Sequence, residues 1–276
     1  MRDDASLPVS WRVHREVAVV LGWTSAILGQ LAHPLVARAV ADHSGFRGGW
    51  AAPWRRLGRT LDAMLALTFG PEADAERAAR GINAIHDRVH GCVRPEERAL
   101  TPRASYSAHD PALLAWVHLT CVDGFLRGYV AFVAPLTPDE RDRYCVEAAA
   151  IEPMLGIPAG RLPRTWSGVQ AEIGTRVASG EIVVGPTARS LAADILRPPG
   201  LRLAGPLLAP LRLAAAGLMP PAIRDGYGLA WGPRHAGALR LLARAVRAGL
   251  RVTPGPLRHW PRARAAVRRR RAGAVL

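Results

Sequence analysis

The stretch DPALLAWVHLTCVDGFLRGYVAFV, residues 110–133, decides the fold class of this chain. Asp110 followed by Pro111 has the pattern of a helix N-cap with proline at the first helical position. Residues of one side of this helix recur at spacings of four, three and four: Leu114, His118, Cys121 and Phe125. The spacing predicts a long helix with His118 on its buried side.

Helical patterns also dominate on both sides of this stretch. Trp11–Leu31 and Glu72–Val89 carry apolar residues with a period of roughly 3.6 residues. Thr137 and Glu140 have the capping-box spacing that starts a further helix. The sequence therefore predicts an all-α protein.

The remaining segments fix the expected domain organisation. Gly91–His109 is predicted to be a loop, and Ile182–Val184 is the one segment with a strand pattern. We predict a single all-helical domain over residues 1–253, followed by a basic C-terminal tail over residues 254–276.

The net charge of +15 comes entirely from the C-terminal part of the chain. Residues 195–276 contain 16 arginines and one acid, Asp225, whereas residues 1–194 contain 21 arginines and 21 acids. All 37 cationic residues are arginines. Because the chain has no lysine, Schiff-base chemistry and lysine ligation are excluded.

Cysteine usage and the N-terminus indicate the compartment. The three cysteines, Cys92, Cys121 and Cys145, show no C-x-x-C spacing, so we expect a reducing compartment without a disulfide or zinc-cluster scaffold. The first residues lack a secretion signal, which favours a cytoplasmic protein. The uncharged run Val17–Ala37 is interrupted by glycine, glutamine, histidine and proline, so we predict a buried helix rather than a membrane span.

Motif searches exclude several enzyme classes. The chain has no phosphate-binding loop, no dinucleotide fingerprint and no nucleophile elbow. It has no E-x-x-H, and its one D-x-x-H (Asp87 to His90) argues against a di-iron site. His86 and His90 have the spacing of zinc ligands, but no third ligand or general-base glutamate accompanies them.

Histidines are the remaining candidates for chemistry. Four lie inside apolar patterns: His33, His43, His86 and His118. Four others are predicted at the surface or in loops: His14, His109, His235 and His259. If the helices at 72–89 and 110–133 run antiparallel, His86 and His118 face a shared space. Apolar burial favours the neutral imidazole that a haem iron needs. The alternative for each is a core histidine hydrogen-bonded to a carbonyl or carboxylate.

An ordered set of short motifs covers about Trp11 to Trp260. These motifs are Arg15-Glu16, Leu21-Gly22-Trp23, Ile27 to Pro34, Ala41 to Ser44, Ile85-His86, Tyr106-Ser107-Ala108, Asp110-Pro111 and Trp116-Val117-His118. Together they resemble the oxygenase family that includes the fungal MpaB enzymes and the catalytic domain of latex-clearing protein, a rubber oxygenase. The resemblance implies an all-α, globin-like multi-helix domain.

For rubber oxygenases the resemblance implies haem b and O2-dependent cleavage of carbon–carbon double bonds; for MpaB-like members it implies oxidative cleavage of a prenyl chain. It places the proximal haem ligand at His118, in the Trp-Val-His segment. The lysine on the distal face of rubber oxygenases has no counterpart here. The resemblance therefore implies that His86 lies on the distal side as a second iron ligand and as the catalytic group. Asn83 stands where the family often has a basic residue.

Three further residues are candidate cofactor contacts through the same resemblance. Arg15 binds a haem propionate or pairs with a structural carboxylate such as Asp42 or Asp123. Tyr106 reaches the haem edge or caps the following helix. His33 contacts the cofactor or stabilises the helix break before proline.

The leading hypothesis is a haem-dependent oxygenase that uses O2 on a hydrophobic substrate, for example an isoprenoid. One alternative is a haem sensor or electron-transfer protein, favoured if both His86 and His118 ligate, because six-coordinate iron leaves no open position. The other alternative is a cofactor-free helical interaction protein.

The basic C-terminal part suggests a contact with an anionic membrane surface. Arginines 240, 244, 247 and 251 share one face of a helix over Pro233–Leu250, and apolar residues share another. Such a helix lies on an anionic membrane surface or forms a solvated face over a core contact. The Arg268–Arg271 run lacks the aromatic residues of a stacking platform, so we expect peripheral membrane contact and no nucleic-acid binding.

Overall fold

The computed structural model describes residues 6–43, 52–198 and 205–273. Ser44, the last residue of one family motif, lies outside them. The described residues form fourteen α-helices and one two-stranded sheet, which confirms the all-α multi-helix prediction.

The helices occupy most of the described chain. They are α1 Val9–His14, α2 Val20–Leu31, α3 Pro34–His43, α4 Ala52–Phe69, α5 Glu72–His86, α6 Pro111–Phe132, α7 Pro138–Ala149, α8 Trp166–Ala178, α9 Pro186–Leu196, α10 Ala209–Leu218, α11 Pro221–Gly226, α12 Pro233–Val252, α13 Gly255–Arg258 and α14 Pro261–Gly273. The strands are β1 His90–Cys92 and β2 Ser105–Ser107.

Helices α2 and α6 cross at the centre of the domain. Gly22 of α2 lies so close to Gly124 and Gly128 of α6 that a Cβ on Gly22 would overlap the carbonyl of Gly124. Hydrogen in place of a side chain therefore lets the two backbones approach. The main core forms around this crossing and includes Trp116, whose exposure is 0%.

The predicted start signals of α6 and α7 are confirmed. The Asp110 carboxylate accepts hydrogen bonds from the backbone N–H groups of Ala112 (2.8 Å) and Leu113 (3.4 Å). Thr137 and Glu140 form the reciprocal capping box at the start of α7. Both caps satisfy backbone donors that have no partner inside the helix.

The predicted continuous helix over Trp11–Leu31 is wrong. The chain is extended at Glu16 (φ −77°, ψ 119°), between α1 and a short 3-10 turn that precedes α2. Glu16 forms an isolated antiparallel bridge with His259, and the Trp260 N–H donates to the Arg15 carbonyl at 3.1 Å. Pairing with a segment more than 200 residues away replaces the helical hydrogen bonds at this point.

The strand prediction is also wrong. Ile182–Val184 has no regular secondary structure. The two strands lie instead in the predicted loop Gly91–His109, except that β1 begins one residue earlier, at His90. Strands β1 and β2 pair antiparallel, with Gly91 opposite Tyr106. The Tyr106 hydroxyl lies over Gly91, where a Cβ would be 2.6 Å from it.

The segment predicted as a basic tail folds against the domain. Helix α14 packs on α4, with Ala263 and Ala266 each 1% exposed against Leu65 and Phe69. The Arg269 guanidinium donates to the Phe69 carbonyl at 2.8 Å. The described residues of this basic segment are therefore largely helical.

Among the described residues, no single helix has the length and apolar composition to cross a bilayer. Val17–Leu31 and Pro34–His43 reach that composition together, but the chain bends by 104° between them.

Candidate functional site

His118 lies on α6 with its ring turned toward the end of α7. Its Nε2 is 2.9 Å from the carbonyl oxygen of Ala148, so the Nε2–H donates to that carbonyl. Burial lowers the pKa of His118 to about 4. The imidazole is therefore neutral at pH 7, and one of its two nitrogens is engaged by the backbone.

A small apolar cleft lies beside His118. It holds about 180 Å³ of space, part of which opens to solvent. Its lining includes Leu119, Val122, Cys145 and Val169. Ligand pockets commonly measure roughly 300–1,000 Å³, so this cleft is below the size of a pocket for a drug-sized molecule.

His14 is the interior histidine that the sequence analysis missed. Its Nε2 is 3.2 Å from the hydroxyl of Tyr144, and its ring meets Phe125 edge-on at 5.3 Å. Burial, and then the charge of His118, lower its pKa to about 4. Its Nδ1 is buried without a hydrogen-bond partner among the residues that the structure describes. A sequence signal could have identified it, because His14 precedes Val17 by three residues and Leu21 by seven, which is the spacing of one helix face.

His86 ends α5 in a different environment. Its ring meets the ring of His109 edge-on, with 5.9 Å between centroids, and His109 is held by Asp87 at 2.7 Å. Burial, and then the charge of His109, lower the pKa of His86. Its Nδ1 is buried without a partner, and neither ring nitrogen bonds to a described residue. His86 therefore presents a neutral, uncommitted imidazole.

The two predicted iron ligands have separate neighbours among the described residues. His86 contacts His109, whereas His118 is hydrogen-bonded to Ala148 and lies close enough to His14 to affect its pKa. Asn83, one turn before His86, donates to the carbonyl of Met154 at 3.1 Å. The contacts of the described residues do not bring His86 and His118 together around one space.

Tyr106 belongs to a polar cluster between the hairpin and the end of α3. Its hydroxyl donates to Asp42 at 2.7 Å and lies 3.2 Å from His43 Nε2. Burial and the hydrogen bond to Asp42 raise the pKa of Tyr106 above its usual value. Asp42 also accepts from Arg38 at 2.8 Å and Arg94 at 3.2 Å. The contacts give Tyr106 a role in fixing the hairpin on α3, and the cap of α6 is Asp110 instead.

His33 stabilises the turn from α2 into α3. Its Nδ1 accepts the backbone N–H of Leu35 at 3.2 Å, and its Nε2 is 3.7 Å from a carboxylate oxygen of Glu181. Burial, and then the charge of Arg176, lower its pKa to about 4. These contacts support the predicted alternative, a histidine that stabilises the helix break at Pro34.

Arg15 lies beside the most buried carboxylate of this region. Its Nε is 3.7 Å from Glu16, which is 1% exposed and accepts from Arg258 at 2.8 and 2.9 Å and from His259 at 3.1 Å. Burial opposes ionisation of Glu16, but the hydrogen bonds from His259 and Arg258 outweigh it and lower its pKa. Arg15 therefore pairs with a structural carboxylate, although with Glu16 rather than Asp42 or Asp123.

Comparison with known proteins identifies the family. The chain matches the family described as ER-bound oxygenase mpaB/B'/Rubber oxygenase, catalytic domain, over residues 11–248. No curated protein and no solved structure matches it. The match covers most of the chain, including His14, His86 and His118, and it points to an enzyme of the oxygenase class. The chain belongs to the mpaB/rubber oxygenase catalytic-domain family.

Proposed function

We propose that this protein is a haem-dependent oxygenase that uses O2 on a hydrophobic substrate of the isoprenoid type. The family supplies the oxygenase class. The observation that carries the haem proposal is the imidazole of His86, which is neutral at pH 7 and has no hydrogen-bond partner among the described residues. An iron ligand needs such a nitrogen lone pair.

The three interior histidines differ in how well they fit a haem iron. His118 donates its Nε2–H to Ala148, and His14 shares its Nε2 with Tyr144. His118 lines a cleft of about 180 Å³, which is small for a macrocycle. Neither ring nitrogen of His86 bonds to a described residue, and Ile85 beside it is 54% exposed. We therefore favour His86 as the residue that would hold the haem iron and His118 as a core histidine.

The proposed ligand has a supporting group. His109 packs edge-on against His86, and its hydrogen bond with Asp87 fixes the orientation of the His109 ring. In this proposal, His86 would hold the cofactor, and the pair His109–Asp87 orients His86. Bound haem supplies the activation of O2. The separate surroundings of His86 and His118 give no support to the bis-histidine sensor.

The proposal is tested by the absorption spectrum of the purified full chain after incubation with haem. We expect a Soret band for the wild type, His14→Ala and His118→Ala, and its loss for His86→Ala. His235→Ala, a change at an exposed position on α12, is the matched control. Circular dichroism checks that each variant is folded.

Two results would overturn this proposal. A folded wild-type protein that takes up no haem would favour a cofactor-free protein. A Soret band lost in His118→Ala but kept in His86→Ala would return the ligand role to His118. If haem binds, activity is then sought as O2-dependent cleavage of a prenyl chain, followed by mass spectrometry of the products.

A further inference from the structure

Helix α12 is attached to the domain through one of its faces. Leu239, Leu242, Ala243 and Val246 pack against a cluster that includes Phe132 and Leu218. Arg247 is also turned inward and donates to the Val130 carbonyl at 2.6 Å. The apolar face expected from the sequence is therefore used to hold the helix on the domain.

A second apolar stripe runs along the opposite side of the same helix. Its members recur at spacings of three and four: Ala238, Leu241, Ala245, Ala248 and Val252. All five are exposed, and Leu241 and Val252 are 68% and 83% exposed. Leu257, which follows in α13, is 73% exposed. Exposed apolar side chains aligned in this way mark an interaction surface rather than a solvated face.

Arginines flank this stripe. Arg240, Arg244 and Arg251 share one side of it and are exposed. None of the three has an acidic partner among the described residues, and Asp225 is the one acid in residues 195–276. We call the apolar stripe and these three arginines the outer face of α12.

We infer that the outer face of α12 binds a bilayer that contains anionic lipids, with the helix parallel to the membrane surface. A helix of this kind places its apolar side at the boundary of headgroups and acyl chains while its arginines contact anionic headgroups. A nucleic-acid partner would account for the arginines but not for the exposed Leu241 and Val252. The inference does not depend on haem binding.

The full chain is tested by co-sedimentation with vesicles of phosphatidylcholine alone and of phosphatidylcholine with phosphatidylserine. We expect binding to the anionic vesicles, weakened by salt, and much weaker binding to the neutral ones. Replacing Arg240, Arg244 and Arg251 by glutamine is expected to weaken binding about a hundredfold. Leu241→Gln with Val252→Gln, which leaves the charge unchanged, is expected to weaken it about tenfold.

A matched control separates this surface from the net charge. Glutamine at Arg59, Arg98 and Arg143, which are exposed and have no acidic partner among the described residues, removes the same charge and is expected to leave vesicle binding within about twofold of the wild type. Equal losses in both triple variants would overturn the inference.

Three other outcomes would also overturn it. One is equal binding to neutral and anionic vesicles. Another is a folded arginine variant that loses binding to duplex DNA but keeps binding to vesicles, which would assign the surface to nucleic acid. The third is a dimer in light scattering that Leu241→Gln dissociates, with no vesicle binding, which would assign it to a second copy of the chain.

Discussion

The surroundings of His118 and of His86 differ in one decisive respect. The Nε2–H of His118 donates to the Ala148 carbonyl, and the Nε2 of nearby His14 lies within hydrogen-bond distance of the Tyr144 hydroxyl. At the end of α5, the His86 ring has an aromatic neighbour but no hydrogen-bond partner among the described residues. Burial lowers the pKa in both places, so the neutral state alone does not distinguish a ligand from a core residue. The difference on which we base the choice is that a ring nitrogen of His118 and of His14 is engaged by another protein group, whereas neither nitrogen of His86 bonds to a described residue.

The largest effect on stability is expected where interior carboxylates are paired. Glu16→Ala removes a 1%-exposed carboxylate that is held by Arg258 and His259. Because the cations remain behind, the free energy of unfolding should fall by about 3–5 kcal/mol. Denaturant unfolding followed by circular dichroism measures it. The control is Asp87→Ala, which breaks the exposed pair with His109 and should cost less than about 1 kcal/mol. Equal losses of unfolding free energy in the two variants would show that the interior pair is no stronger than the exposed one.

A smaller loss is expected for His118→Ala. This change leaves the Ala148 carbonyl without its donor and creates a cavity, so unfolding should become easier by about 2–4 kcal/mol. His86→Ala breaks no hydrogen bond with the described residues and should cost about 1 kcal/mol or less in the apo protein. The comparison is made by urea unfolding of the two variants without haem. A greater loss for His86→Ala would reverse the assigned roles.

Stability should also depend on pH through the buried histidines. The pKa values of His14, His33 and His118 are lowered to about 4, so the unfolded chain binds more protons than the folded one between about pH 6.5 and 4. Stability therefore rises with pH across this window, by about 1.4 kcal/mol per pH unit for each histidine. His118→Gln should make the slope of unfolding free energy against pH shallower by that amount. An unchanged slope would show that His118 titrates normally.

The sequence predicted α6 and α7 well because their start signals are local. Asp110 and the Thr137–Glu140 box satisfy backbone donors within three residues, so the pattern itself contains the cause. The break at Glu16 has no such local cause, because the extended conformation there is stabilised by Arg258 and His259.

The candidate site depends on the same kind of distant contact. His14 was predicted at the surface or in a loop, whereas its ring lies against Tyr144 and Phe125. The pairing of His118 with Ala148 joins positions that no periodicity relates. The resemblance identified the family and the histidines worth testing, but only the three-dimensional contacts distinguish hydrogen-bonded rings from the uncommitted one.

Rescue by free imidazole in glycine variants tests directly whether His86 is the residue that would hold haem. We predict that His86→Gly loses the Soret band of the haem-loaded protein and that added imidazole restores it, while His118→Gly and His14→Gly keep the wild-type spectrum. Loss of the band in His118→Gly with rescue by imidazole, together with a wild-type spectrum in His86→Gly, would assign the ligand role to His118 instead.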